Sequence, residues 1–246
     1  MILLLSGEGP GDIGTCRNAA KDCEGSDFKP GPMAWFVDKL VEPLWNYSPL
    51  ANTSCVFVPE RSLAQHCRSR VGMTLPGRKR AVETGYFFKS ARGLAQLAKA
   101  RSKSDKCPVG AVLFRDSDGT VASARSLWDD KVNSIEAGFA AEDFDLGVAM
   151  VPKPKSEASL LCAVQPVQYQ NCTRFEDLSG NDASPKSAKA ALEKELKDRR
   201  RSYADLCDLV ENGDIAPQRI KMPSFDRFRD RLKQVAQQML SCGYLT

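Results

Sequence analysis

Residues 1–14, MILLLSGEGPGDIG, decide how the rest of the chain is read. The apolar run Ile2–Leu5 has the length of a buried strand and is closed by glycine. Gly9, Gly11 and Gly14 then fit G-x-G-x-x-G, the spacing of a dinucleotide-binding turn. Glu8 and Asp12 share that turn, however, and two carboxylates there would repel a pyrophosphate. A dinucleotide site also requires an acid ending a second strand about twenty residues on. The sequence after Gly14, TCRNAAKDCEGSDFKPGPM, offers no such strand, and no G-x-x-x-x-G-K-[ST] occurs. The opening turn therefore reads as a holder of metal ligands.

Working outward, residues 15–31 are polar and rich in Gly, Pro and Asp, the composition of a long loop. MAWFVDKLVEPLW has helical periodicity, and SCVFVP is a second short strand. Residues 60–80 are strongly basic with little apolar periodicity. VETGYFFKSARGLAQLAKARSK predicts a long helix, PVGAVLFRDSDG a strand followed by a turn, and SARSLWDDKVNSIEAGFAAE another helix. DLGVAMVPKPK is the last convincing strand; the segments beyond residue 156 all read as helical. Strands alternating with helices predict an α/β fold with a mainly parallel sheet flanked by helices. The expected division is an α/β catalytic core over residues 1–155 and a helical C-terminal part, 156–246, packed on it. The terminal segment RFRDRLKQVAQQML fits either packing on the core or docking a partner.

Bulk composition narrows the function classes. The 246 residues are 42% hydrophobic and 27% charged, with a formal net charge of +4, which permits a nucleic-acid partner without demanding one. Nine cysteines are scattered with no C-x-x-C, which argues against a structural zinc site and for a reducing compartment. MILLLS is too short for a signal peptide, and no apolar run approaches a membrane span, so the expectation is a soluble cytoplasmic protein. His66 is the sole histidine, which rules out chemistry needing two imidazoles; in SLAQHCRSR it reads as an ordinary polar-segment residue.

The acids cluster at strand ends. Glu8 and Asp12 follow the first strand, Asp116 and Asp118 follow VGAVLFR, and Glu157 follows DLGVAMVPKPK. In an open parallel sheet, chemistry collects beyond the carboxyl ends of the strands. Alternate residues of an extended segment share a side, so Asp-x-Asp can aim two carboxylates together. D-S-D-G is also a common turn sequence in its own right. Oxygen ligands without imidazole or thiolate suit magnesium or manganese. Glu8, Asp116, Asp118 and Glu157 are the expected metal ligands, with Asp12 beside them.

These motifs resemble a known family. LLLSGEGPGDIG, with its E-G-x-x-D turn, and AVLFRDSDG, with its Asp-x-Asp strand end, are similar to the Toprim domain of topoisomerases, primases and the overcoming-lysogenization-defect nucleases. VPKPKSEASLLCAV and GNDASPKSAKAALEKEL look more like a smaller Toprim-like branch of bacterial anti-phage defence loci, which often pairs with a separate ATPase subunit. The resemblance covers roughly residues 1–200. It implies a Toprim-like fold in which Glu8 is a metal ligand or general acid/base, Asp116 and Asp118 are metal ligands, and Asp12 is the second acid of the first turn. Glu157 then matches a further ligand. Gly119 falls one place earlier than in Asp-x-Asp-x-x-Gly, and no tyrosine sits in a setting recognisable for strand passage.

Together these features imply a nuclease using two Mg²⁺ or Mn²⁺ ions about 4 Å apart to cleave DNA or RNA, the effector of a defence system controlled by an ATPase partner. Lys153 and Lys155 are candidates to contact the phosphate or stabilise the transition state, and equally read as solvated loop lysines. RSRVGMTLPGRKR and KDRRR offer sequence-independent phosphate contacts. Two other classes remain open: a catalytically degenerate binding subunit, and a primase-like phosphotransfer enzyme, for which no phosphate loop is present.

Overall fold

A computed structural model describes residues 1–9, 11–18, 20–68, 79–117 and 124–243, with the side chains of 68, 79–84, 124–126 and 243 excepted. Its centre is a five-stranded sheet of β1 (Ile2–Gly7), β3 (Cys23–Glu24), β5 (Cys55–Pro59), β6 (Val109–Phe114) and β7 (Gly147–Met150), in the order β3-β5-β1-β6-β7. Only β3 runs antiparallel, against β5. The four predicted strands are all present, and their register sets Pro59, Gly7, Phe114 and Met150 side by side at the carboxyl edge.

Helices cover both faces, which is why the strands are continuously apolar rather than alternating with polar residues. Leu3, Leu5, Phe57, Val112, Phe114 and Met150 point to one face, toward α1 (Pro32–Trp45), α5 (Ser156–Val164) and α8 (Pro223–Gly243). Leu4, Val56, Val58, Ala111 and Leu113 point to the other, toward α2 (Glu60–Arg68), α3 (Lys79–Asp105) and α4 (Ala124–Ala140). The α/β class, the mainly parallel sheet and the helical C-terminal part, with α6 (Ala188–Asp198) and α7 (Asp205–Glu211), are as the sequence predicts. Among the described residues no helix is long and apolar enough to cross a membrane.

The terminal basic-aromatic segment packs on the core. Phe225, Phe228, Leu232, Val235, Ala236 and Met239 form the buried stripe of α8, which lies against α1, β6 and β7. Trp45 ties the pair together by donating its indole N–H to Ala236 O at 3.2 Å. The charged side of α8 is engaged as well, with Arg227 bound to Glu136 at 2.9 Å.

Three expectations are corrected. Residues 15–31 are not a plain loop: β2 (Gly14–Cys16) and β4 (Phe28–Pro30) form an antiparallel hairpin, and β3 joins the main sheet between them. The basic stretch after Pro59 opens with α2, where Leu63 is buried; positions 69–78 lie outside the described residues. Four of the nine cysteines are paired, as Cys16–Cys23 and Cys162–Cys172. Disulfides persist in oxidising surroundings, so the cysteines no longer support a reducing compartment.

The tightest helix contact on the second face sets a stability prediction. A Cβ on Gly138 would lie 2.4 Å from Phe88 O and 2.8 Å from Ala91 Cβ, so α3 and α4 approach as closely as they do only because this position is bare. The obstructing atoms are largely backbone and cannot swing aside. Gly138→Ala is expected to destabilise the fold by about 2 kcal/mol, as overpacking does, and a urea melt checks it. A change below about 0.5 kcal/mol, the ordinary surface range, would contradict this packing.

Candidate functional site

The chain leaves β1 toward α1 on one face and leaves β6 toward α4 on the other. Adjacent strands whose connections part in this way leave a crevice between their carboxyl ends, the usual place for a ligand in such sheets. The acids singled out from sequence meet there. Glu8, one residue past β1, accepts the Asp116 backbone N–H on Oε1 at 3.0 Å. Asp116, two residues past β6, accepts the Ser156 backbone N–H on Oδ1 at 3.2 Å. That amide is one of the unpaired donors at the start of α5, so Asp116 also holds the helix in place.

Ser156 is fully buried and joins the remaining acids. Its hydroxyl bonds to Asp12 Oδ1 and lies 3.3 Å from Glu157 Oε2. Glu157 stands in the first turn of α5, where a negative charge faces the positive end of the helix dipole. Asp12 is fixed through its backbone, since its carbonyl accepts Met33 N–H at 3.0 Å. Gly31 packs so closely on that carbonyl that an added Cβ would sit 2.2 Å from it. The glycines of the opening turn thus serve close packing and a left-handed Gly9, and Gly14 opens β2 rather than a helix. This is not a dinucleotide turn.

The electrostatics follow from crowding. Burial, together with the neighbouring Glu157 and Glu8, pushes Asp12 up to about 6, against opposing pulls from the Ser156 hydrogen bond and Lys155. Lys155 is not a solvated loop residue, because it pairs with Asp182 Oδ1 at 3.0 Å while facing Asp12. Lys153 is buried in the same loop. Asp118 lies outside the described residues. Glu8, Asp12, Asp116 and Glu157 are therefore brought to one crevice, though among the described residues no three acids converge as a finished metal nest. The donor set fits a hard divalent cation by chemistry: all oxygen, several negative charges, and one carboxyl already displaced from its ordinary range by the others.

Sequence reading missed two groups here. Ser156 gave only the weak signal of a small polar residue beside an acid at a helix start. Tyr203, from the loop between α6 and α7, gave none. Its half-buried phenol is hydrogen-bonded to Ser156 and faces Asp12, Glu157 and Asp116, with its ring edge 3.8 Å from where a Cβ on Gly11 would stand. Burial and these three carboxylates push the phenol well above the ordinary tyrosine range, so it keeps its proton.

Behind the crevice, on the α2/α3/α4 face, lies a cationic pair. Arg115 is fully buried, donates Nη1–H to Phe114 O at 2.8 Å and lies 5.4 Å from the centre of the Tyr86 ring. Lys131 of α4 donates to Ser117 O at 2.5 Å. Both fix the backbone of the β6 turn that carries Asp116. His66 sits on α2, away from this chemistry. No family model, curated protein or solved structure matches the chain, so its functional reading rests on this crevice and its four acids.

Proposed function

We propose that the protein is a divalent-cation-dependent phosphodiester hydrolase acting on DNA or RNA. The observation that carries this reading is the meeting of Glu8, Asp12, Asp116 and Glu157 at the switch point of the sheet, with Asp12 pushed up to about 6 by the company it keeps. Glu8, Asp116 and Glu157, with Asp118 of the same turn, are the residues that would hold Mg²⁺ or Mn²⁺. A bound pair of such ions supplies charge neutralisation at the scissile phosphate and a water of lowered pKa. The chain's own groups do the rest. Asp116 N–H orients Glu8, the Ser156 hydroxyl orients Asp12, and Asp12 is poised to take a proton near neutral pH. Lys155, already turned toward Asp12, is the described cation best placed to meet a substrate phosphate.

A defence role, a controlling ATPase partner and a cytoplasmic location belong to this proposal through the Toprim resemblance alone. A second reading, a binding subunit without catalysis, draws on one observation: Glu8 and Asp116 already serve as acceptors for backbone amides, a purely structural task.

Calorimetric titration of the full chain with Mn²⁺ separates the two and requires no partner. Saturable binding is expected. Its absence at millimolar Mn²⁺ in the folded protein would overturn the hydrolase reading in favour of the binding subunit.

A further inference from the structure

The sheet edge alone does not complete the crevice. Tyr203 reaches it from the loop between α6 and α7, far along the chain from every acid it faces. We propose that Tyr203 is a positioning residue of this site, a donor from the C-terminal helices that sets the Ser156 hydroxyl, and through it Asp12 and Glu157, for cation binding; this rests on the hydrolase reading above.

Hydrogen-bond accounting at Ser156 leads to this role. Its backbone N–H is committed to Asp116 at 3.2 Å. Its single hydroxyl proton faces two carboxylates, Asp12 Oδ1 and Glu157 Oε2, and can serve only one at a time. With the phenol O–H of Tyr203 donating to Ser156 Oγ, the oxygen's lone pairs are engaged and its own proton is directed to Asp12. The result is a chain in one sense: Tyr203 O–H to Ser156 Oγ, Ser156 O–H to Asp12 Oδ1. Glu157 is left without that proton and keeps its oxygens for a cation. Outer partners of this kind fix the orientation of metal ligands and are worth about 10–100-fold in affinity or activity.

Ring and hydroxyl have separable jobs. The ring packs at Gly11 and against the main core, and phenylalanine preserves that packing. The hydroxyl has the chemical role, and Tyr203→Phe removes it alone.

The test is a Mn²⁺ titration of wild type, Tyr203→Phe, Ser156→Ala and the double variant, with tyrosine ultraviolet difference spectra recorded on adding Mg²⁺. Tyr203→Phe is expected to weaken Mn²⁺ binding about tenfold and to abolish the difference spectrum. On the Ser156→Ala background the same change is expected to add less than about twofold, because the phenol acts through that serine. Equal affinity in wild type and Tyr203→Phe, or fully additive losses, would overturn the positioning role while leaving the hydrolase reading intact. Absence of binding by wild type would overturn both. Should Tyr203→Phe fold poorly, Ser156→Ala carries the decision, and an unchanged affinity there overturns the proposal equally.

Discussion

Asp12→Asn is expected to be more stable than wild type by about 2 kcal/mol at pH 8 and no different at pH 4. Folding moves the Asp12 carboxyl from its ordinary 3.8 up to about 6, chiefly through burial. The folded state therefore binds a proton more tightly than the unfolded chain does. Stability from this group is greatest below about pH 4, declines as pH rises between about 4 and 6, and stays at its lower value above about 7. A displacement of that size is worth about 3 kcal/mol at most, which partial exposure reduces. Asparagine has no charge to bury and still offers an oxygen to the Ser156 hydroxyl, so the pH slope disappears with the stability deficit. Urea melts in the presence of a chelator at both pH values provide the check. A variant no more stable than wild type at pH 8 would show that Asp12 ionises in the fold without penalty.

The second large effect concerns charge rather than burial. In Glu8→Gln the amide oxygen can still accept the Asp116 N–H, so the link between the β1 and β6 turns survives. Only the negative charge is removed. Mn²⁺ affinity is expected to fall by at least about 100-fold, and metal-dependent cleavage by about 1,000-fold, as for loss of a group worth several kcal/mol at a metal site. Stability is expected to change by less than about 0.5 kcal/mol. Unchanged Mn²⁺ affinity would mean that Glu8 serves as a brace for the Asp116 turn and nothing more.

How far this could be read in advance depends on the distance over which each feature is encoded. The four main strands were legible because burial on both faces makes each a continuous apolar run, as in Ile2–Leu5 and Val109–Phe114. The acids beyond them were legible because the strand ends mark where an open sheet does its chemistry. The β2/β4 hairpin was not, since strands of three residues bounded by Gly14 and Pro30 carry no periodicity to detect. The pairs Cys16–Cys23 and Cys162–Cys172 were hidden for a similar reason: their spacings match no metal or redox motif. Tyr203 is the extreme case. Nothing within ten residues of it suggests that it faces Asp12, because only the packing of α6 and α7 beside α1 and α5 brings it there.

The position of α8 has a consequence for how the protein comes off the ribosome. All five strands of the main sheet have been synthesised once Met150 is made, yet the helix that covers β6 and β7 begins only at Pro223. At about 5–20 residues per second that interval lasts on the order of 4–15 s. Throughout it, Val112, Phe114 and Met150 lack the Phe225–Met239 stripe that shields them in the finished fold. The loop bearing Tyr203 also emerges within this interval. A nascent chain thus holds all its acids well before it holds a sealed core, and the order of synthesis delays a finished crevice until the last helix is in place.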